Sequence, residues 1–202
     1  MYQALIATSK TLQQLMEAFI RADPILFSAT SPYQTRGMQV RLNTPFEMTD
    51  QNHEGVALWL YRIIRDEMRL NDPPSRPTPL TIRQPPLPLR LHYLVTPITN
   101  RAHDGDPETE QYLMGKILQL FHSHPMLSGA DLKEELAGTT GELRVRLETL
   151  TLEELSRVWD AVEGSYQLSV SYEVSLVNVD SAIEPERVTP VTTVLPEYHV
   201  IV

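Results

Sequence analysis

Hydrophobic and polar residues alternate most regularly along the segment Ser165–Val179. Its even-numbered positions from Tyr166 to Leu176 are Tyr, Leu or Val, and the odd-numbered positions between them are Gln, Ser or Glu. Because successive side chains of a strand point to opposite faces, this pattern predicts a strand of eleven consecutive residues with one apolar and one polar face. A shift of one residue would exchange the two faces, so the pattern also predicts a fixed register.

Other apolar segments predict further strands. The predicted strands are Val56–Ile64, Leu87–Pro97 with Leu87, Leu89, Leu91, Tyr93 and Val95 on one face, Leu143–Leu147, and a short strand at Met38–Leu42. Val56–Ile64 begins with apolar residues on both faces, which is typical of a strand that is covered on both sides. One cover would be the chain's own helices. The other is either a neighbouring subunit or another part of the same chain.

Three segments have the apolar spacing of amphipathic helices. The first covers residues 3–22 and ends at Asp23-Pro24, since proline disfavours the helical conformation in the residue before it. The second begins with Asp106 as N-cap and Pro107 as first helical residue, and it ends near His122–Pro125. The third follows a capping box, Thr151–Glu154. Strands with one apolar face and helices with one apolar stripe predict an α+β fold, with a mostly antiparallel sheet and helices packed on one face.

The segment Asn71–Pro88 contains 7 of the 16 prolines, which predicts an extended surface loop. Its last part, with Pro85, Pro88 and Arg90, matches a ligand pattern for SH3-type grooves. A rigid connection to the following strand explains the same residues. The pattern keeps open an alternative function, a small non-enzymatic adaptor or binding module that uses the proline-rich loop 71–88.

Charge is distributed unevenly along the chain. Residues 1–103 have 11 Lys and Arg against 8 Asp and Glu, whereas residues 104–202 have 6 against 18, which together give the net charge of −9. An acidic chain without a dense basic stripe is a poor candidate for binding nucleic acid. The acidic half is either a solvated surface or one end of a dipole that directs head-to-tail packing.

Composition also limits the environment and the chemistry. The chain lacks Cys, which fits a reducing compartment and removes thiolate nucleophiles and ligands. The N-terminus has no signal-peptide pattern, and the longest apolar run, Val56–Tyr61, is far shorter than the ~20 residues of a membrane-spanning helix. We therefore expect a soluble cytoplasmic protein without direct membrane insertion.

The sequence contains no catalytic constellation. It lacks the nucleophile-elbow pattern around serine and the glycine-rich phosphate-binding motifs. His122 and His124 would point to different sides of a helix, so we interpret them as helix C-terminal residues rather than metal ligands. We expect no enzymatic activity, no cofactor and no metal.

Two blocks of sequence together resemble a known family. They are Leu89–Leu127, which runs from a strand through a polar loop to the helix beginning near Pro107, and Leu143–Ser181, which pairs the helix LEELSRVW with the strand LSVSYEV. With the upstream VALWLYRI, they resemble the N-terminal domain of tube-terminating cap proteins of contractile injection systems. These systems are phage-tail-like particles related to antifeeding prophages and Photorhabdus virulence cassettes.

The resemblance implies a tail-terminator-like fold and a purely structural function. It implies a homohexameric ring at the baseplate-distal end of the inner tube, with the tube protein and the sheath protein as partners. It covers residues 1–182, which we interpret as the terminator or cap domain, and leaves residues 183–202 as a C-terminal arm. The residues that we expect at a subunit, tube or sheath interface are Trp59, Tyr61, Val191, Val194, Tyr198 and Val200.

Overall fold

A computed structural model describes residues 2–99, 105–162 and 164–189. The strands are β1 (Gln39–Arg41), β2 (Gly55–Arg65), β3 (Ser75–Thr78), β4 (Thr81–Arg83), β5 (Leu87–Ile98), β6 (Met126–Ser128), β7 (Glu142–Leu147), β8 (Val170–Val179) and β9 (Glu186–Arg187). The α-helices are α1 (Ala4–Arg21), α2 (Pro32–Thr35), α3 (Pro45–Asp50), α4 (Pro107–Ser123) and α5 (Leu152–Ala161). This mixed content confirms the predicted α+β class.

Six strands form the main sheet in the order β1-β2-β5-β8-β7-β6. β1 runs parallel to β2, and the other neighbouring pairs in this sheet are antiparallel. The predicted mostly antiparallel sheet is therefore confirmed. β5 lies between the other two long strands, β2 and β8, so three segments that are distant in sequence share one surface.

The two long helices, α1 and α4, cover one face of this sheet. The buried apolar side chains between them and the strands include Leu12, Met16 and Ile20 of α1, Leu113 and Ile117 of α4, and Val56, Leu58, Leu91, Tyr93, Val95, Tyr172 and Val174 of the sheet. The hydroxyl groups of Tyr93 and Ser9 form a hydrogen bond of 2.8 Å within this core. α4 begins as predicted, with Asp106 Oδ1 accepting a hydrogen bond from the Thr109 N–H at 3.0 Å.

The opposite face of the sheet is covered at one end by the short helix α3. A capping box between Thr44 and Glu47 starts this helix. Its buried Met48 packs on Ala57 of β2 and Ile98 of β5. The first residues of β2 are therefore covered on both faces by the chain's own helices. Of the two alternatives for the second cover, a neighbouring subunit or another part of the same chain, the structure shows the latter.

β8 differs from the long strand predicted for Tyr166–Leu176. It begins only at Val170, and the side chains of Tyr166 and Leu168 are exposed. It also contains a bulge, because Leu91 pairs with Val174 whereas Leu89, two residues away, pairs with Val177. Leu176 has φ +68° at this point. The extra residue returns Val177 to the buried face, so the alternation and the fixed register that we predicted hold only as far as the bulge.

The proline-rich segment extends away from the main sheet. Its residues form the exposed hairpin β3–β4, and β4 pairs with β9, which gives a second, three-stranded sheet where we predicted only a loop. Pro88, the second proline of the SH3-ligand pattern, is buried and pairs with Asn178 in the main sheet. The connection to β5 therefore explains these residues better. Within the described ranges, no helix has both the length and the apolar character needed to cross a membrane.

Candidate interface surface

Trp59 and Tyr61, the two described residues of the expected interface, lie next to each other on β2. Both side chains are partly buried, and their ring centroids are 5.9 Å apart. With Arg62 they form one wall of an open cleft of about 360 Å³, whose other wall is the loop before α5 and the helix itself. The α5 side of the cleft consists of Leu150, Glu154, Arg157, Val158 and Ala161. We call this feature the β2–α5 cleft.

Specific hydrogen bonds mark both ends of α5. At its beginning, Thr151 and Glu154 form the capping box predicted from the sequence. At its end, Trp159 is buried, and its indole N–H donates a hydrogen bond of 3.1 Å to Ser169 Oγ. The capping box therefore sets where the helix begins, and the Trp159 contact attaches its end to the segment before β8.

A buried hydrogen-bond network holds the hydroxyl group of Tyr61. The Tyr61 hydroxyl donates to Ser171 Oγ at 2.9 Å, and Ser171 Oγ donates to a carboxylate oxygen of Glu148 at 2.6 Å. Both oxygens of Glu148 lie 3.0 Å from His92 Nδ1. Since Ser171 is on β8, His92 on β5 and Tyr61 on β2, the network connects three neighbouring strands.

The network changes the proton affinity of its members. Burial raises the pKa of the Tyr61 hydroxyl above its ordinary value, so the group stays neutral. Burial alone would also raise the pKa of Glu148, but the hydrogen bonds from His92 and Ser171 outweigh it and hold that pKa below its ordinary value. Glu148 is therefore the ionised acceptor around which the neighbouring groups are oriented.

A second carboxylate, Glu173, lies beside this network on β8. Its oxygens are 3.4 Å from a guanidinium nitrogen of Arg90 and 3.2 Å from one of Arg146. His92, Glu148 and Glu173 bring ligand-type atoms within 4.8 Å of one another, which is close enough to consider a metal ion. However, two guanidinium groups already neutralise Glu173, and Glu148 already accepts hydrogen bonds, so the arrangement is better described as an ion-pair network.

Glu148, Ser171 and His92 could not be identified from the sequence as parts of this network. His92 and Ser171 do lie on the polar faces of the predicted strands, which was the available signal. The other histidines that we considered lie at the end of α4, where His124 Nδ1 is 3.2 Å from the Leu120 carbonyl oxygen. This agrees with their interpretation as helix C-terminal residues.

The remaining interface candidates, Val191, Val194, Tyr198 and Val200, lie outside the described residues. The described part of the predicted arm contains β9, which pairs with β4. Directly after β9, the Val188 N–H donates a hydrogen bond of 2.9 Å to the Leu80 carbonyl oxygen. The chain therefore leaves the described structure from the small sheet.

Comparison with solved structures shows the same fold in two proteins of contractile injection systems. The chain is similar to the sheath/tube terminator of PVC, an extracellular contractile injection system, in the extended state, with a TM-score of 0.58 and 20% identity over 96% of this chain and 64% of that one. It is also similar to the anti-feeding prophage cap, a tube-terminating cap, with a TM-score of 0.65 and 18% identity over 98% of this chain and 62% of that one. The chain thus spans a little under two thirds of the length of each structure.

Sequence comparison gives the family. No curated protein matches the chain significantly. A family model described as the Pvc16 N-terminal domain matches residues 7–193, nearly the whole chain. The chain belongs to the Pvc16 N-terminal domain family.

Proposed function

We propose that this chain is a structural cap, which closes the baseplate-distal end of a contractile injection system as a hexameric ring and ends the growth of the inner tube. The observation that carries this proposal is the fold, which nearly the whole chain shares with a sheath/tube terminator and with a tube-terminating cap. Membership of the same family as a Pvc16 domain supports it. The proposed partners are further copies of the chain, the inner tube protein and the sheath protein.

The β2–α5 cleft is the proposed contact surface for a neighbouring subunit or for the tube. A closed ring needs a heterologous interface, in which one surface of each subunit contacts a different surface of the next. Aromatic residues are enriched in the cores of such interfaces. Trp59 and Tyr61 provide a partly exposed aromatic pair, and the hydrogen bonds to Tyr61 hold its ring in one orientation before binding.

The proposed role requires shape and charge but no turnover, so the chain is not an enzyme and uses no cofactor or metal. Below the cleft, Glu148 pairs with His92, and Glu173 pairs with Arg90 and Arg146, which supports a structural use of these groups. Assembly takes place in the cytoplasm, where the ring joins a phage-tail-like particle. The uneven charge of the two sequence halves determines which face of the ring contacts the tube.

Residues 1–182 form the cap domain in this proposal, and residues 183–202 are an arm that pairs with a neighbouring copy or with the sheath. β-branched residues are frequent in the arm, as they are in strands. A chain that ends before Val188 tests this part. We expect particles with missing or incomplete caps in electron micrographs, whereas normally capped particles of normal length would remove the arm from the proposal.

The proposal as a whole is tested by assembling particles from the tube, sheath and baseplate proteins of a contractile injection system, with and without the chain itself. We expect tubes of defined length with a ring of density at one end when the chain is present. Without the chain, we expect tubes of variable length with open ends. Tubes with the same length distribution and the same ends in both preparations would contradict the proposal.

A further inference from the structure

The outer edge of β2 is unpaired along most of its length. β1 pairs only with Gly55–Ala57, whereas β5 pairs with β2 from Gly55 to Arg65. Among the described residues, no strand pairs with the outer edge from Leu58 to Arg65. An unpaired edge presents backbone N–H and C=O groups in the spacing that another strand needs.

This edge runs directly beside the β2–α5 cleft. Trp59 and Arg62 pair with Leu94 and His92 of β5, so their side chains lie on the face of the sheet that carries the cleft. Ile63 lies further along the edge, and 47% of its surface is exposed. A strand added here would gain backbone hydrogen bonds from the edge, and its alternate side chains would enter the cleft.

We propose that the outer edge of β2, Leu58–Arg65, is a strand-acceptor site and that its occupant is the C-terminal segment Val191–Val202 of a neighbouring copy. This inference rests on the proposed ring, in which each subunit has such a neighbour. The proposed function does not specify the surface to which the arm binds, and the edge of β2 would be that surface.

Two runs of the segment fit a strand, and Pro196 between them is tolerated in an edge strand where its missing N–H would face away from the acceptor. The runs are VTTV and YHVIV, which are β-branched and aromatic residues of the kind that strands favour. Charge also fits, because the edge carries the exposed Arg62 and Arg65 and the segment contains Glu197. Main-chain pairing would supply affinity, and the cleft would select apolar side chains.

The segment is long enough to cover the edge. The described chain ends at Thr189 in the small sheet, whose hairpin β3–β4 is inserted between the end of β2 and the beginning of β5. An extended chain advances ~3.3 Å per residue, so the twelve residues from Val191 to Val202 extend for about 40 Å. The eight residues of the edge need only about 26 Å. About 14 Å of extended chain then remains between the described end and the added strand.

The absence of Cys makes this inference directly testable by disulfide formation. One chain carries Ile63→Cys, and a second chain carries one cysteine at one of four consecutive positions, Thr192, Thr193, Val194 or Leu195. Four consecutive positions sample both faces of an added strand, and a disulfide forms only when the two Cα atoms lie within about 7 Å. The two chains are assembled together on tubes, the rings are checked by electron microscopy, and the oxidised particles are analysed by non-reducing electrophoresis and mass spectrometry.

We expect disulfide-linked dimers between the two chains, with one face of the segment preferred. The matched control is Met126→Cys on β6, the opposite edge of the sheet, whose side chain is exposed to a similar extent. It is expected to give no dimers with the same partner chains. A single chain that carries Ile63→Cys together with Val194→Cys should give linked multimers rather than an internally linked monomer.

The other outcomes overturn the inference in distinguishable ways. Complete rings without dimers would mean that the edge has no strand partner and is protected by its exposed arginines, while the proposed function would stand. Equal dimer formation from Met126→Cys would mean that the segment has no preferred acceptor. An internally linked monomer would mean that the segment pairs with its own chain. Tubes without rings would contradict the proposed function, and the inference would fall with it.

Discussion

At the scale of single residues, Glu148 determines how Tyr61 is presented at the β2–α5 cleft. We expect Glu148→Gln to lower the free energy of unfolding at neutral pH by about 1–2 kcal/mol, because an ionised acceptor of buried hydrogen bonds is lost. Since the pKa of Glu148 in the folded state is below its ordinary value of 4.5, its stabilisation is complete above that pH. The stabilisation is lost as the pH falls through the folded-state pKa.

Urea unfolding of both proteins between neutral pH and pH 3 measures this effect. The difference between wild type and Glu148→Gln should be largest at neutral pH and should shrink on acidification. Glu135→Gln is the control, because Glu135 is exposed and lies outside the network. A difference that stays constant with pH would show that the carboxylate charge of Glu148 does not contribute.

Glu134 illustrates backbone strain at a single position. It is exposed and has φ +51°, in the left-handed region that disfavours residues with a Cβ by about 1–2 kcal/mol. We expect Glu134→Gly to raise the free energy of unfolding by roughly 0.5–1 kcal/mol, because relief of this strain exceeds the entropic cost of glycine. The neighbouring Glu135→Gly, at a position without positive φ, should lower it instead. Chemical denaturation of the two variants provides the comparison, and equal signs would refute the explanation.

At the scale of elements, Gly55 determines whether β1 can join the sheet. Its φ is +129°, and a Cβ at this position would lie 2.1 Å from the carbonyl oxygen of Gln39 in β1. We expect Gly55→Ala to lower the free energy of unfolding by about 3 kcal/mol or more, because β1 must separate from β2. Hydrogen exchange should show faster exchange in Gln39–Arg41, the residues of β1.

Gly115 in α4 offers a matched control with the opposite expected sign. A Cβ built there meets no atom within 4 Å outside its immediate surroundings in the helix. Gly115→Ala should raise the free energy of unfolding by about 0.5–1 kcal/mol, since alanine is the better helix former. Comparable destabilisation by both substitutions would mean that the contact with Gln39 is not the cause of the Gly55 effect.

Elements could be predicted where local signals decide them. The helices α1, α4 and α5 follow from apolar spacing and from the caps at Asp106 and Thr151. β8 could be predicted only in part, since the bulge at Leu176 depends on pairing with β5 and leaves no local signal. The small sheet was missed for the same reason, because Thr81 pairs with Arg187, more than one hundred residues away.

At the scale of the whole molecule, the strand order brings the proposed interface together. Trp59 and Tyr61 could be named from the sequence because they break the expectation of a polar second face on a strand. The contacts that hold Tyr61 could not be predicted, because only the order β2-β5-β8 places Tyr61, His92 and Ser171 on one surface. Alternation along a strand shows which side chains share a face, but it does not show which strands are neighbours in the sheet.

A substitution of Trp59 tests assembly separately from folding. Trp59→Ala removes a partly buried aromatic ring from the β2–α5 cleft, so we expect a lower melting temperature of the isolated chain. At a temperature where circular dichroism shows that the variant is folded, we expect a loss of ring density and of defined tube length in assembled particles. Leu152→Ala is the control, since Leu152 is 67% exposed on α5 but does not line the cleft. It should leave both folding and tube length unchanged. Truncation of a central aromatic residue of an interface typically costs 2 kcal/mol or more of binding free energy, about thirtyfold in affinity. Capped tubes of normal length with the folded Trp59→Ala variant would therefore exclude the cleft from the contact between subunits or with the tube.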